Sequence, residues 1–155
     1  MTRLVIGCGN QLISDDAIGL NVVRELSKYQ LPAGVKIIEA GTPGLSLLDM
    51  ITGAEKVIII DAMLSGAEPG TIHRFTDEDL PPAELFPLSA HNWNIASALE
   101  LGKRVEMDDW PKEIVILGVE IERLDRFRIA LSPRVEEAIP VVVEAILKEL
   151  LVDSC

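Results

Sequence analysis

Asp16, Asp61 and His91 are the residues of this chain whose types and settings could do chemistry. Asp16 follows the polar loop that leaves a short apolar run, Asp61 stands where the run KVIII gives out, and His91 lies in a polar window. Two carboxylates and an imidazole supply oxygen and nitrogen donors for a borderline divalent ion such as nickel or zinc. They also leave coordination positions open for water or a partner's atoms. Residue types alone do not choose the ion. Each residue also has an ordinary account: Asp16 as a helix cap, Asp61 as part of a βα turn, His91 as a loop histidine. Position favours a joint site, because one rim of a sheet would gather all three.

The elements that must position them can be read from the pattern. Short β-branched runs alternate with longer segments of helical periodicity, which predicts βαβ units around a mostly parallel sheet. RLVIGC (3–8) is the first strand, and Ile18, Val22 and Leu26 stripe a helix running to about Lys28. VKIIE (35–39) is the second strand, followed by GTPG and a short helix containing Leu47, Leu48 and Ile51. KVIIIDA is a third, central strand covered on both faces. After the turn SGAEPG, the segment 69–75 adds a strand that could run antiparallel; a Pro-rich loop then leads to His91. Ile95, Ala98, Leu99 and Gly102 share one face of a third helix, and EIVILGV (113–119) is another buried strand. The final helix has Ser132 at its N-cap position and Pro133 at its first turn. Val135, Ile139, Val142, Ile146 and Leu150 form its buried stripe, with a slight bend at Pro140.

In open α/β sheets, ligands bind beyond the carboxyl ends of the strands. The loops after Cys8, Glu39, Ile60 and Val119 are therefore the candidates. Gly7 and Gly9 allow the close turn that brings Asp15 and Asp16 back over the sheet, and either carboxylate could assist proton transfer. Gly41 and Thr42 are expected to shape the cleft floor.

Composition limits the alternatives. The 155 residues suit one domain, 1–155, and no apolar stretch is long enough to span a bilayer, so membrane insertion is not expected. Without a signal peptide the expected location is the cytoplasm, with a monomer as the working expectation. The net charge of −11 disfavours nucleic acid, which is bound largely by neutralising phosphates, and favours a metal or a basic protein surface. Cys8 sits in an apolar strand and no CxxC pair exists, so neither a disulfide framework nor a cysteine nucleophile is expected. The GCGN segment never completes GxGxxG, no GxSxG elbow is present, and no organic cofactor is expected. Trp93 and Trp110 are read as core or rim packing.

GCGNQLISDD, then GTPG, then DA with PG seven residues later, then SAH, then LG and LSPRV, together resemble the hydrogenase maturation endopeptidases over roughly Val5–Ile146. Each piece is weak alone, but the ordered set is specific. The resemblance implies a three-layer α/β/α sandwich with a twisted, mostly parallel mixed sheet of about five strands. It implies an endopeptidase that removes the C-terminal extension of a nickel-iron hydrogenase large-subunit precursor after nickel insertion. The nickel would be supplied within that precursor, and Asp16, Asp61 and His91 match the family's metal-contacting positions. Two departures stand out: Ala17 where many relatives have glycine, and Gly118-Val119-Glu120-Ile121 where they have G-x-Q-P. The second predicts that Glu120 offers a carboxylate to a basic partner and so alters which precursor is accepted. Two other functions remain in view: a non-enzymatic, nickel-dependent client-binding module, and a peptidyl-tRNA hydrolase suggested by GN after the first strand.

Overall fold

The structure is a computed structural model that describes residues 2–87 and 93–152. Five strands, β1 (Arg3–Cys8), β2 (Val35–Gly41), β3 (Lys56–Met63), β4 (Ile72–Thr76) and β5 (Glu113–Glu120), form one sheet in the order β2-β1-β3-β5-β4. All neighbours are parallel except β4, which runs antiparallel to β5. Four helices connect or follow them: α1 (Ile18–Leu26), α2 (Ser46–Ile51), α3 (Ile95–Arg104) and α4 (Pro133–Leu151).

Strand periodicity explains the layering. Val5, Ile58, Ile60, Val115 and Leu117 share one core with α1 and α4, while Leu4, Ile6, Val57, Ile59, Ile114 and Ile116 share another with α2 and α3. Successive side chains point to opposite faces, so continuous apolar runs in β1, β3 and β5 fill both cores at once. The result is an α/β/α sandwich with the fully buried β3 at its centre. The predicted stripe Ile18, Val22 and Leu26 is buried, as is the α4 stripe apart from half-buried Ile139. Helix α4 runs through Pro140 without a break.

Two close approaches set the geometry at the carboxyl ends of the strands. A Cβ on Gly19 of α1 would lie 2.3 Å from the Cys8 carbonyl oxygen and 2.4 Å from that of Ile60, so only glycine lets α1 start directly over β1 and β3. The chain leaves β1 towards β2 on one side and later returns to β3 on the other. This reversal makes the β1/β3 crevice the sheet's topological switch point.

Candidate active site

Both predicted aspartates reach that crevice. Asp16 sits in a short 3-10 turn, Ser14–Ala17, immediately before α1. Gly9, at φ +136°, makes the return possible: a Cβ there would sit 1.8 Å from the Asp16 carbonyl oxygen. The Asn10 N–H then donates to Asp16 Oδ2 at 2.8 Å. Asp61 projects from β3, where the N–H of its neighbour Ala62 donates to Oδ1 at 2.8 Å. Both residues line a narrow cleft with Cys8, Gly9, Gly41, Thr42 and Asn94.

The electrostatics are those of two acids held together with little compensation. Asp16 and Asp61 are only 6% and 5% exposed. Burial pushes the Asp16 carboxyl above its ordinary pKa, opposed by the Asn10 N–H. Burial pushes Asp61 higher still, reinforced by the Asp16 charge and opposed by the Ala62 N–H. Among the described residues no lysine or arginine pairs with either, and none donates a hydrogen bond to the second oxygen of either. A cation brought beside such a pair favours the ionised form that burial disfavours. Two carboxylates with spare oxygens fit a hard or borderline divalent ion. The Cys8 thiol beside them is raised by burial, then by Asp61 and Asp16, so it stays protonated and is a poor nucleophile.

Gly41 and Thr42 line the same cleft, at the end of β2. Gly41 adopts φ +64° and its carbonyl accepts the Gly9 N–H at 2.7 Å, so the two loops are joined across the cleft floor. His91 lies outside the described residues. Pro87 and Asn94, on either side of that segment in sequence, both line the cleft.

Several expectations need correction. Asp16 makes no helix-capping hydrogen bond; its carboxylate is engaged by Asn10 instead. Asp61 does not end β3, because pairing with β5 continues through Met63↔Glu120. Asp15, considered beside Asp16 for proton transfer, is wholly buried and engaged elsewhere: it accepts from the N–H groups of Glu122, Arg123 and Ser132 and from the Ser132 hydroxyl. Ser132 occupies the N-cap position of α4, but its hydroxyl goes to Asp15 rather than to the helix. Glu120 presents nothing to a partner. It is 1% exposed and accepts from the Ser65 N–H at 2.8 Å and the Ser65 hydroxyl at 2.5 Å, with His73 Nε2 at 3.2 Å.

Sequence reasoning misses Asn94 as a cleft residue, although Asn94-x-x-Ser97 is a legible capping signal. Its side chain accepts from the Ser97 N–H at 3.0 Å and donates to the Ala83 and Phe86 carbonyls at 2.7 and 3.2 Å, fixing the 83–87 segment against the start of α3. Trp110 packs at the rim as expected: its ring fills the space over Gly102 and its Nε1–H donates to Asp77 Oδ2 at 3.0 Å.

Comparison with known proteins adds a second line of evidence. The sequence model of the family described as hydrogenase maturation protease matches residues 20–149. The chain is 35% identical over 152 residues to the hydrogenase 2 maturation protease of Escherichia coli, covering 97% of this chain and 91% of that one. Its fold is similar to the hydrogenase maturating endopeptidase HybD from E. coli, with a TM-score of 0.83 and 34% identity over 97% of this chain and 92% of that one. It is also similar to the NiFe hydrogenase maturation protease HybD from Thermococcus kodakarensis, with a TM-score of 0.73 and 29% identity over 97% of this chain and 99% of that one.

Proposed function

The chain belongs to the hydrogenase maturation protease family, and from that premise we propose that it removes the C-terminal extension of a nickel-iron hydrogenase large-subunit precursor after nickel insertion. Membership makes it a hydrolase that cuts peptide bonds, and the non-enzymatic module and the peptidyl-tRNA hydrolase fall with it. The single observation that carries the finer reading is the pair of buried carboxylates, Asp16 and Asp61, in the crevice between β1 and β3, with no lysine or arginine paired to either among the described residues.

In this proposal nickel arrives as part of the substrate. Asp16 and Asp61 each offer a spare carboxylate oxygen, and His91 supplies the nitrogen ligand. Clamping the ion fixes the client's scissile bond beside the carboxylates, and chemistry gains from proximity. Asp16 is the better placed proton acceptor, since Asp15 is consumed by backbone donors. Gly41 and exposed Thr42 hold the client's tail along the cleft wall. No described helix is long and apolar enough to cross a membrane. We place the enzyme in the cytoplasm as a monomer of one domain.

The test uses one precursor in two metal states. The chain should cut the nickel-loaded large subunit at its C-terminal extension and leave the nickel-free form intact, with the cut located by intact-protein mass. Equal cleavage of both forms would reject nickel recognition, and no cleavage of either would reject the assigned substrate.

A further inference from the structure

The chain carries a net charge of −11, yet the loop between β5 and α4 concentrates Arg123, Arg126 and Arg128 within six residues. The same loop exposes Phe127 at 86% and Ile129 at 64%, and Leu12 is half exposed on the segment hydrogen-bonded beside it. Phe127 adopts φ +61°, a left-handed conformation unusual for a bulky side chain. Arg123 and Arg128 approach Asp125 at 2.8 and 3.9 Å, whereas Arg126 has no ion pair among the described residues.

The loop is braced rather than free. The Ser14 N–H donates to the Arg128 carbonyl at 2.7 Å, and the Arg128 N–H returns to the Leu12 carbonyl at 3.2 Å. The Ser14 hydroxyl donates to the Arg123 carbonyl and accepts from the Asp125 N–H, both at 2.8 Å. Asp15 holds the two feet of the loop through Glu122 and Arg123 on one side and Ser132 on the other. The residues that brace the loop, Leu12, Ser14 and Asp15, thus stand just before Asp16 in the chain.

We infer that residues 123–129 are a docking surface for an acidic segment, bearing an apolar side chain, of the same precursor that the cleft processes. Arginine and aromatic side chains are the usual energetic anchors of protein interfaces, and a braced loop loses little freedom on binding. Charge selects the occupant. An acidic segment gains from Arg126, which has no ion pair among the described residues, and from the net positive charge of 123–129, three arginines against Asp125. A segment small enough to sit on this loop avoids the acidic remainder of the surface, which a second copy of a −11 chain, an anionic membrane or a nucleic acid would meet. The brace to Ser14 and Asp15 places the docked segment beside the turn that carries Asp16.

The inference rests on the protease reading, and the experiment separates the two. Arg126→Glu and Phe127→Gly are compared with the wild type for affinity towards the nickel-loaded precursor by titration calorimetry. Glycine adopts the φ of position 127 without strain, so that variant should fold, and an unchanged melting temperature verifies it. Each variant should weaken binding by about tenfold or more, and Arg126→Glu should also flatten the fall of affinity with salt. Affinities within about twofold of wild type in folded variants would overturn the docking surface while leaving cleavage by the wild type untouched. Wild type that binds without cutting, with affinity lost in both variants, would overturn the protease reading and keep the docking surface. Self-association of the wild type that Phe127→Gly abolishes, with precursor affinity unchanged, would assign the patch to a second copy and overturn the inference.

Discussion

Asp61→Asn should make the protein more stable while abolishing its activity. The carboxyl's raised pKa states that ionising Asp61 inside the fold costs more than the Ala62 N–H offsets. Asparagine keeps an Oδ1 acceptor for that N–H and nearly the same volume, but removes the buried charge and its repulsion with Asp16. Turning a charge-assisted hydrogen bond into a neutral one loses about 1 kcal/mol, and the relief must exceed this for the pKa to be raised as it is. A net gain of about 1 kcal/mol is typical where a functional site holds such a strain. For a chain of this size it corresponds to a rise in Tm of roughly 2–4 °C. The sign depends on pH in a defined way. With a folded pKa above the unfolded value, the wild type carries no penalty below the unfolded carboxylate range of about 3.9 and the whole penalty above the folded pKa. The advantage of the Asp61→Asn variant should therefore be present at pH 7 and vanish towards about pH 4. Calorimetry in the presence of a chelator, paired with cleavage of the nickel-loaded precursor, measures both halves. A variant less stable than wild type at pH 7, or stabilised equally at both pH values, would refute the reasoning.

Two further substitutions probe the scaffold around the site. Asp15→Ala should cost about 3 kcal/mol or more, seen as a Tm lower by roughly 6 °C or more, because it strands three N–H groups and a hydroxyl inside the fold; calorimetry checks it. Gly9→Ala should destabilise by about 2 kcal/mol or more in urea unfolding and lose precursor cleavage, since the new Cβ lands on the Asp16 carbonyl at a φ that alanine avoids.

How much is legible in the sequence follows the range of the interactions that decide each feature. The strands of the two-sided core announce themselves through local runs, and β1 reads to its observed ends, Arg3–Cys8. The rim is legible for the same reason, since the loops that follow the parallel strands name the end where ligands bind, whereas the strand order that singles out the β1/β3 crevice is set by long-range pairing. Most misreadings concern polar side chains whose partners nothing in the neighbouring sequence names. Asp15 and Asp16 are indistinguishable as a dipeptide, but one meets Ser132 across 117 positions and the other meets Asn10 six residues back. Glu120 looks like a carboxylate on offer because nothing nearby in sequence claims it; Ser65, 55 positions away, does. The far end of β3 is placed too early because a strand stops where its partner stops, and β5 carries pairing past Asp61 to Met63.

The same burial that raises the two carboxyls bears on why the client would bring the ion. A free cation entering the cleft must favour the deprotonated form of Asp16 and Asp61, which burial disfavours, and that cost lowers its affinity. An ion already held by a folded precursor arrives with the precursor's other contacts, among them the proposed arginine-rich loop, and their free energy offsets the deprotonation. Linked sites of this kind multiply their selectivity: a precursor without the ion lacks the ligand for the carboxylates, and a stray ion lacks the docking contacts. On this reasoning the raised carboxyls are part of the recognition. In the proposed scheme they weaken the response to either signal alone, and Asp15 joins the two by bracing the docking loop from the residue beside Asp16.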